Sequence, residues 1–190
     1  MFARTPRLLL RPGWVDDANA LAAALNEQSV ARNLARVPFP YTAGDARSFL
    51  ARPIDQRHPQ LLVFSRTRRL PRLVGGCGLD PTEDGAVELG YWIARPYWGL
   101  GFATEAASAL VQAARAMGHR RIRARHAVDN PASGRVLRKL GFRPTGDLVR
   151  IHSRARGEEV LAALFEDGAE SDMREDVVEE LYADAASLAA

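Results

Sequence analysis

The sequence predicts a mixed α/β domain whose sheet is mostly antiparallel. Three observations carry that expectation. The apolar segments "QLLVFSR", "LVGGCGL" and "AVELGYWIA" follow one another across the short, turn-rich links "TRRLPR" and "DPTEDG", the pattern of an antiparallel meander. A helical segment and then an alternating strand come next, giving one strand–helix–strand crossover, which is right-handed with its two strands parallel. The 190 residues are 47% hydrophobic and 26% charged, the balance of an ordinary globular domain large enough to bury a core.

Taken in order, "RLLLRP" is a first strand ended by Pro12 and Gly13. Asp16 or Asp17 caps a helix through "ANALAAALN". A short helix near "QSVARNLAR" stops before "VPFPYT", whose two prolines break it. Thr42 and Asp45 form a capping box that opens "AGDARSFLA". After the meander, a helix runs from about Thr104 to Met117 with the apolar face Ala103, Ala107, Leu110, Ala114 and Met117, and Gly118 stops it. "RRIRARHAVD" alternates, with Ile122, Ala124, His126 and Val128 on one face and Arg121, Arg123 and Arg125 on the other. Asn130 as cap and Pro131 in the first turn open a further helix, which ends at Gly141. Strands at about 147–154 and 158–165 pair across "ARGE", and the acidic tail 166–190 is expected to be a peripheral helix.

Composition narrows the function. The single Cys77 allows no internal disulfide and no cysteine metal cluster. His119, His126 and His152 lack ligand spacing, so no metal is expected. The apolar runs are too short to span a bilayer, and the arginine-studded N-terminus does not resemble a signal peptide, so the expectation is a cytoplasmic protein with no membrane partner. The net charge of +3 is uneven. Residues 166–184 carry nine acids and one base, leaving a body of about +11. A basic body suits a phosphate-bearing ligand. It lacks an aromatic-interleaved basic stripe, so no nucleic acid partner is expected.

"YWGLGFATEA" is the most informative stretch. Gly99 and Gly101 stand where a loop turns into a helix, and the free N–H groups of about residues 100–104 converge on an anion. A tight turn without a ligand is the competing reading. The stretch has no Walker A lysine, and Thr104 stands where a dinucleotide fingerprint places its third glycine.

"YWIARPYWGLGFATEA" resembles the coenzyme A pyrophosphate loop of the GNAT superfamily of N-acetyltransferases, in particular its RimJ/RimL branch of ribosomal-protein N-terminal acetylases. That loop reads Gln/Arg-x-x-Gly-x-Gly/Ala, and Trp98, Gly101 and Ala103 fall on those positions. Trp98 departs from Gln/Arg by removing a polar side chain, while the backbone cradle is kept. "TPRLLLRP", "VPFPYT" and "DNPASGRVLRKLGF" extend the resemblance over about residues 4–165.

The resemblance implies a three-layer α-β-α fold whose sheet splays between the fourth and fifth strands. It implies acetyl-CoA as co-substrate, with its pyrophosphate on Trp98, Gly99, Leu100, Gly101, Phe102, Ala103 and Thr104. Pantetheine would lie in the splay against backbone groups of Trp92 and Ile93 and reach Asn130. Arg135 or Arg138 would meet the 3′-phosphate. Ser133 would return a proton to the leaving sulfur, because no tyrosine occurs between Tyr97 and Tyr182 to do so. Glu88 shares a strand face with Gly90 and Trp92, and it is the candidate general base for a neutral amine. A half-buried surface glutamate is the competing reading of Glu88, and helix capping suffices to explain Asn130.

The expected function is acetyl transfer from acetyl-CoA to a primary amine, a protein N-terminus or a small molecule, by direct attack in a ternary complex. The alternative is a non-catalytic acetyl-CoA-binding sensor or structural module. The acceptor is expected against the helices of residues 17–51 and the "VPFPYT" loop. Residues 1–165 form the catalytic domain, residues 166–190 the tail, and the protein is a monomer or homodimer.

Overall fold

The computed structural model describes residues 1–67 and 70–167. Its strands are β1 (Ala3–Arg4), β2 (Leu8–Pro12), β3 (Gln60–Ser65), β4 (Arg72–Pro81), β5 (Val87–Ile93), β6 (Ile122–Ala127), β7 (Phe142–Ser153) and β8 (Glu158–Asp167). Its helices are α1 (Ala18–Leu25), α2 (Gln28–Ala31), α3 (Ala43–Leu50), α4 (Phe102–Ala116) and α5 (Pro131–Lys139). One eight-stranded sheet has the order β1-β2-β3-β4-β5-β6-β8-β7. Every neighbouring pair is antiparallel except β5 with β6, the crossover through α4.

Alternation along the strands gives each sheet face its own core. Val63, Leu79, Leu89, Ile122 and Phe165 pack with Phe102, Leu110 and Ala114 of α4 and Leu137 of α5. Leu62 and Phe64 point the other way and pack with Leu21 and Leu25 of α1, Val30, Tyr41 and Ala46. The result is three layers, α1–α3, sheet, and α4–α5. Burying a leucine such as Leu110, which is 0% exposed, is worth about 2 kcal/mol.

The capping box at Thr42 and Asp45 forms as its sequence dictates, Thr42 Oγ1 accepting from the Asp45 N–H at 3.1 Å and the Asp45 carboxylate accepting from the Thr42 N–H at 2.9 Å. Asp17 departs from expectation. It sits at the start of α1 without bonding to it. Its carboxylate accepts from both terminal nitrogens of Arg11, at 2.7 and 2.8 Å, and from the Trp14 N–H at 2.7 Å. Arg11 is 9% exposed and lies between the rings of Trp14 and Phe64, at 3.8 and 4.1 Å. A buried guanidinium without its anion costs more than a cap of about 1 kcal/mol contributes.

Other boundaries move. The helix expected across "QSVARNLAR" is the four-residue α2. α4 opens at Phe102 rather than Thr104. β7 begins at Phe142 rather than 147, because Pro144 and Gly146 interrupt its alternation at a register shift between Pro144 and Leu148. β8 runs on to Asp167, held by Arg123 on Glu166 and Arg115 on Asp167, both at 2.6 Å. The expected tail helix lies outside the described residues.

Candidate active site

The two edges of β5 are used differently, and this creates the site. On the β4 side all seven residues from Val87 to Ile93 have register partners. On the β6 side only Val87, Glu88 and Leu89 do. β6 continues through Arg125, His126 and Ala127, which keep their β8 partners on the far edge but have none on β5. The sheet therefore splays beyond Leu89, between the fourth and fifth strands when the two-residue β1 is left out of the count.

Backbone direction decides which groups the splay leaves open. The Val87 N–H donates to Arg121 O at 3.1 Å, toward β6, and the Ala94 N–H donates to Val74 O at 2.9 Å, toward β4. Hydrogen-bonding direction alternates along a strand. Glu88, Gly90 and Trp92 therefore spend their backbone groups on β4, while Tyr91 and Ile93 face the gap. This corrects one sequence expectation: Tyr91, not Trp92, shares the open edge with Ile93. The Trp92 side chain belongs to the α1–α3 core, and a Cβ on its strand partner Gly76 would stand 2.5 Å from the indole nitrogen. Close packing of that ring explains the glycine.

The loop after β5 has the geometry its glycines imply. Gly99 and Gly101 have φ of 75° and 78°, the left-handed region where a side chain is strained. Gly101 is the N-cap of α4, and its carbonyl accepts the Glu105 N–H at 3.1 Å. The N–H groups of Phe102, Ala103 and Thr104 thus open the helix without intrahelical partners. Trp98 closes the base of the loop. Its indole N–H donates to Ile93 O at 2.6 Å, so the splayed carbonyl of Ile93 is already satisfied. Arg7 braces the back of the loop, donating to Leu100 O at 2.8 Å while its Nε holds Glu105 at 2.6 Å. Leu100 turns its carbonyl to Arg7 and its side chain, 51% exposed, to solvent. The Phe102 ring is buried in the core, so only its backbone is available to a ligand.

Asn130 caps α5, accepting the Ser133 N–H at 3.4 Å. Ser133 Oγ stands 2.8 Å from the Tyr91 hydroxyl, which also donates to Ser133 O at 3.0 Å. Burial pushes the Tyr91 phenol up to about 12. Strand alternation alone makes Tyr91 a core residue, and only the fold reveals that its hydroxyl crosses from β5 to the first turn of α5.

Glu88 lies on the opposite face. Burial raises its carboxyl above the ordinary value, although Arg125 on β6 pairs with it at 3.0 Å. Arg125 escaped the sequence reading because alternation places it on the face that looks solvent-bound. Asp80, the register partner of Glu88, is held by Arg36. Arg135 is exposed on α5 beside the cleft. Arg138 packs over the Phe165 ring at 5.8 Å.

One cavity of about 1230 Å3 joins these parts. Its lining runs from Trp98, Gly99 and Gly101–Thr104 past Tyr91, Asn130 and Ser133 to Glu88 and on to Tyr41 and Arg52. It crosses the sheet at the splay. Cys77 is sealed in the core with its thiol pushed up to about 12 by burial, the wrong state for a nucleophile. Among the described residues no group of three or more His, Cys, Asp or Glu could hold a metal ion, and no helix is long and apolar enough to cross a membrane.

Fold and cleft define a coenzyme A-dependent acyltransferase. The family profile described as the acetyltransferase (GNAT) domain matches residues 7–143, and the chain belongs to that family. It is 29% identical over 166 residues to the uncharacterized N-acetyltransferase p20 of Bacillus licheniformis, covering 85% of this chain and 92% of that one. A GNAT-family acetyltransferase from Bacillus anthracis superposes with a TM-score of 0.74 at 23% identity, over 87% of this chain and 97% of the other. A RimL ribosomal L7/L12 alpha-N-protein acetyltransferase, solved with coenzyme A, superposes with a TM-score of 0.73 at 20% identity, over 90% and 100%. The protein is an acetyl-CoA-dependent N-acetyltransferase, and the open edge and glycine-capped helix start are fitted to that co-substrate.

Proposed function

We propose that the protein acetylates a primary amine by direct attack in a ternary complex, with Glu88 as general base and Ser133 as the hydroxyl nearest the leaving sulfur. The observation that carries this reading is the continuous cavity through the splay, whose lining includes both the helix start of α4 and Glu88. Acetyl-CoA supplies the acetyl group as a thioester.

The chain's own residues do the rest. Backbone N–H groups of Phe102, Ala103 and Thr104, at the positive end of a fifteen-residue helix, bind the pyrophosphate. The open N–H and C=O groups of Tyr91 and the N–H of Ile93 align the pantetheine arm and point a donor at the thioester oxygen. Asn130 and Arg135 lie along the same path on α5. Most amines arrive protonated at pH 7, so a proton must leave before attack. Glu88, with its pKa raised by burial, is a stronger base than a free carboxylate and takes that proton directly or through water. Ser133 Oγ, oriented by Tyr91, offers its proton to the thiolate.

The acceptor is a protein N-terminus or a small-molecule amine. Likeness of fold to the RimL ribosomal L7/L12 alpha-N-protein acetyltransferase supports the first, together with the RimJ/RimL-type motifs of the loop. The test is thermal unfolding with acetyl-CoA and CoA, against ATP and NAD. A ligand at about 100 times its Kd adds about 2.7 kcal/mol. A rise in Tm with acetyl-CoA and CoA alone is expected, and no rise at saturation overturns the reading.

A further inference from the structure

The acceptor end of the cavity, where α3 and the loop before it meet the β7–β8 turn, holds polar groups that the protein itself leaves unmatched. Tyr41, from the "VPFPYT" loop, is 6% exposed and lines the cavity. The only hydrogen bond it makes among the described residues is from its backbone N–H to Asn26 Oδ1, so its hydroxyl is left for whatever enters the cavity. Ser153, 1% exposed and part of the same lining, has an unpartnered Oγ.

Two guanidinium groups stand beside these hydroxyls without a carboxylate within ion-pair distance among the described residues. Arg52 lies over the Phe49 ring at 5.4 Å. Arg154 reaches only the Arg36 carbonyl, at 3.5 Å, while its own N–H fixes the turn on Ala35 O at 2.9 Å. The nearby carboxylates are committed elsewhere. Asp45 is bonded to Thr42 at 2.9 Å, Asp80 is held by Arg36, and Glu88 is paired with Arg125. Arg52 and Asp45 both act electrostatically on the Tyr41 phenol, and Arg154 acts on Asp45, which places all four in one neighbourhood.

An amine approaches this site as an ammonium. On the α3 and β7–β8 side the groups without a carboxylate partner are donors and positive charges, while the Glu83 carboxylate, which also lines the cavity, lies in the β4–β5 turn. Guanidinium and hydroxyl donors together are the set that recognises a carboxylate or a phosphate. We infer that the acceptor is an amine carrying its own anionic group, a carboxylate or a phosphate, which is received by Tyr41, Arg52 and Arg154 while the amine faces Glu88. This rests on the acetyl-transfer reading above and names the substrate class for it.

The test compares amines that differ only in the anionic group, under saturating acetyl-CoA. Phenylalanine against phenethylamine probes a carboxylate, as does a Ser-Asp peptide amide against its Ser-Asn counterpart. Phosphoethanolamine against ethanolamine probes a phosphate. The anionic member of at least one series should be acetylated with kcat/KM about tenfold or more above its neutral partner. Tyr41→Phe, which keeps the ring and removes only the hydroxyl, should lower that ratio several-fold. The exposed pair Arg52→Gln with Arg154→Gln should bring it close to one. Which series responds decides between carboxylate and phosphate. Equal turnover of all pairs, preference for the neutral amines, a preference untouched by these substitutions, or no acetylation of any anionic member overturns the inference. The acetyl-CoA-dependent rise in Tm keeps the two failures apart. If it is present without the anion preference, only this inference falls. If it is absent, the acetyl-transfer reading falls first.

Discussion

β5 presents two edges, and they teach different things about how a sequence becomes a site. Its β4 edge is paired at seven successive positions and behaves as ordinary sheet: hydrogen bonds are complete, and side chains such as Leu89, 2% exposed, hold the core. Its β6 edge is paired at three and then opens. An open edge in a protein interior is costly unless something else completes it. Here Trp98 completes one carbonyl, and the remaining groups of Tyr91 and Ile93 have no strand partner on that side, the place the proposed function gives to the cofactor. The same strand thus carries stability on one side and function on the other.

Substitutions can break this contrast. Glu88→Gln has the largest expected effect, because on the proposed mechanism it removes the general base without changing shape. We expect kcat to fall at least about a hundredfold. The ascending limb of the pH–rate profile should disappear with it. In the wild type that limb lies above the ordinary carboxylate range, since burial raises the Glu88 pKa and only the deprotonated form accepts a proton. A variant with an unchanged limb would remove Glu88 from the chemistry.

The paired edge predicts the opposite pattern. Leu89→Ala should cost about 2–5 kcal/mol of stability in denaturant unfolding, with the KM for acetyl-CoA in the folded protein within about twofold of wild type. A large change in that KM would mean the two edges are not separable.

Gly101→Ala sharpens the comparison at the loop. With φ at 78°, a Cβ there costs about 1–2 kcal/mol, which titration calorimetry should read as about tenfold weaker acetyl-CoA binding. Unaltered affinity would mean the helix start is not the anion site. Trp98→Phe is the mildest change. Losing the bond to Ile93 O should raise the KM for acetyl-CoA a few-fold, about 1 kcal/mol, and leave kcat within about twofold. A fall in kcat alone would put Trp98 in the chemistry rather than in support of the edge.

Much of this was legible in the sequence because local chemistry and global fold agree there. The meander, the capping box at Thr42, the stops at Gly118 and Gly141 and the Asn130 cap each follow from a few adjacent residues. The left-handed glycines of the loop did too. What stayed hidden depends on pairing across the sheet. Which residues of β5 face the gap is a matter of backbone parity, set by where the Val87 and Ala94 N–H groups point, so Trp92 was assigned a place that belongs to Tyr91. The Tyr91–Ser133 contact spans 42 positions, and the Arg125–Glu88 pair needs the parallel register. The sequence offers Asp16 or Asp17 as a cap because nothing local shows that Arg11 is buried beside Asp17.

The account stands on the open edge of β5, and amide hydrogen exchange reads that edge residue by residue. Without ligand, the Gly90 and Trp92 amides, paired to β4, should be protected while Tyr91 and Ile93 exchange fast. Saturating coenzyme A should slow Tyr91 and Ile93 by at least about tenfold and leave Gly90 and Trp92 nearly unchanged. Fast exchange at Tyr91 and Ile93 with coenzyme A bound would contradict the claim that the splayed edge holds the cofactor.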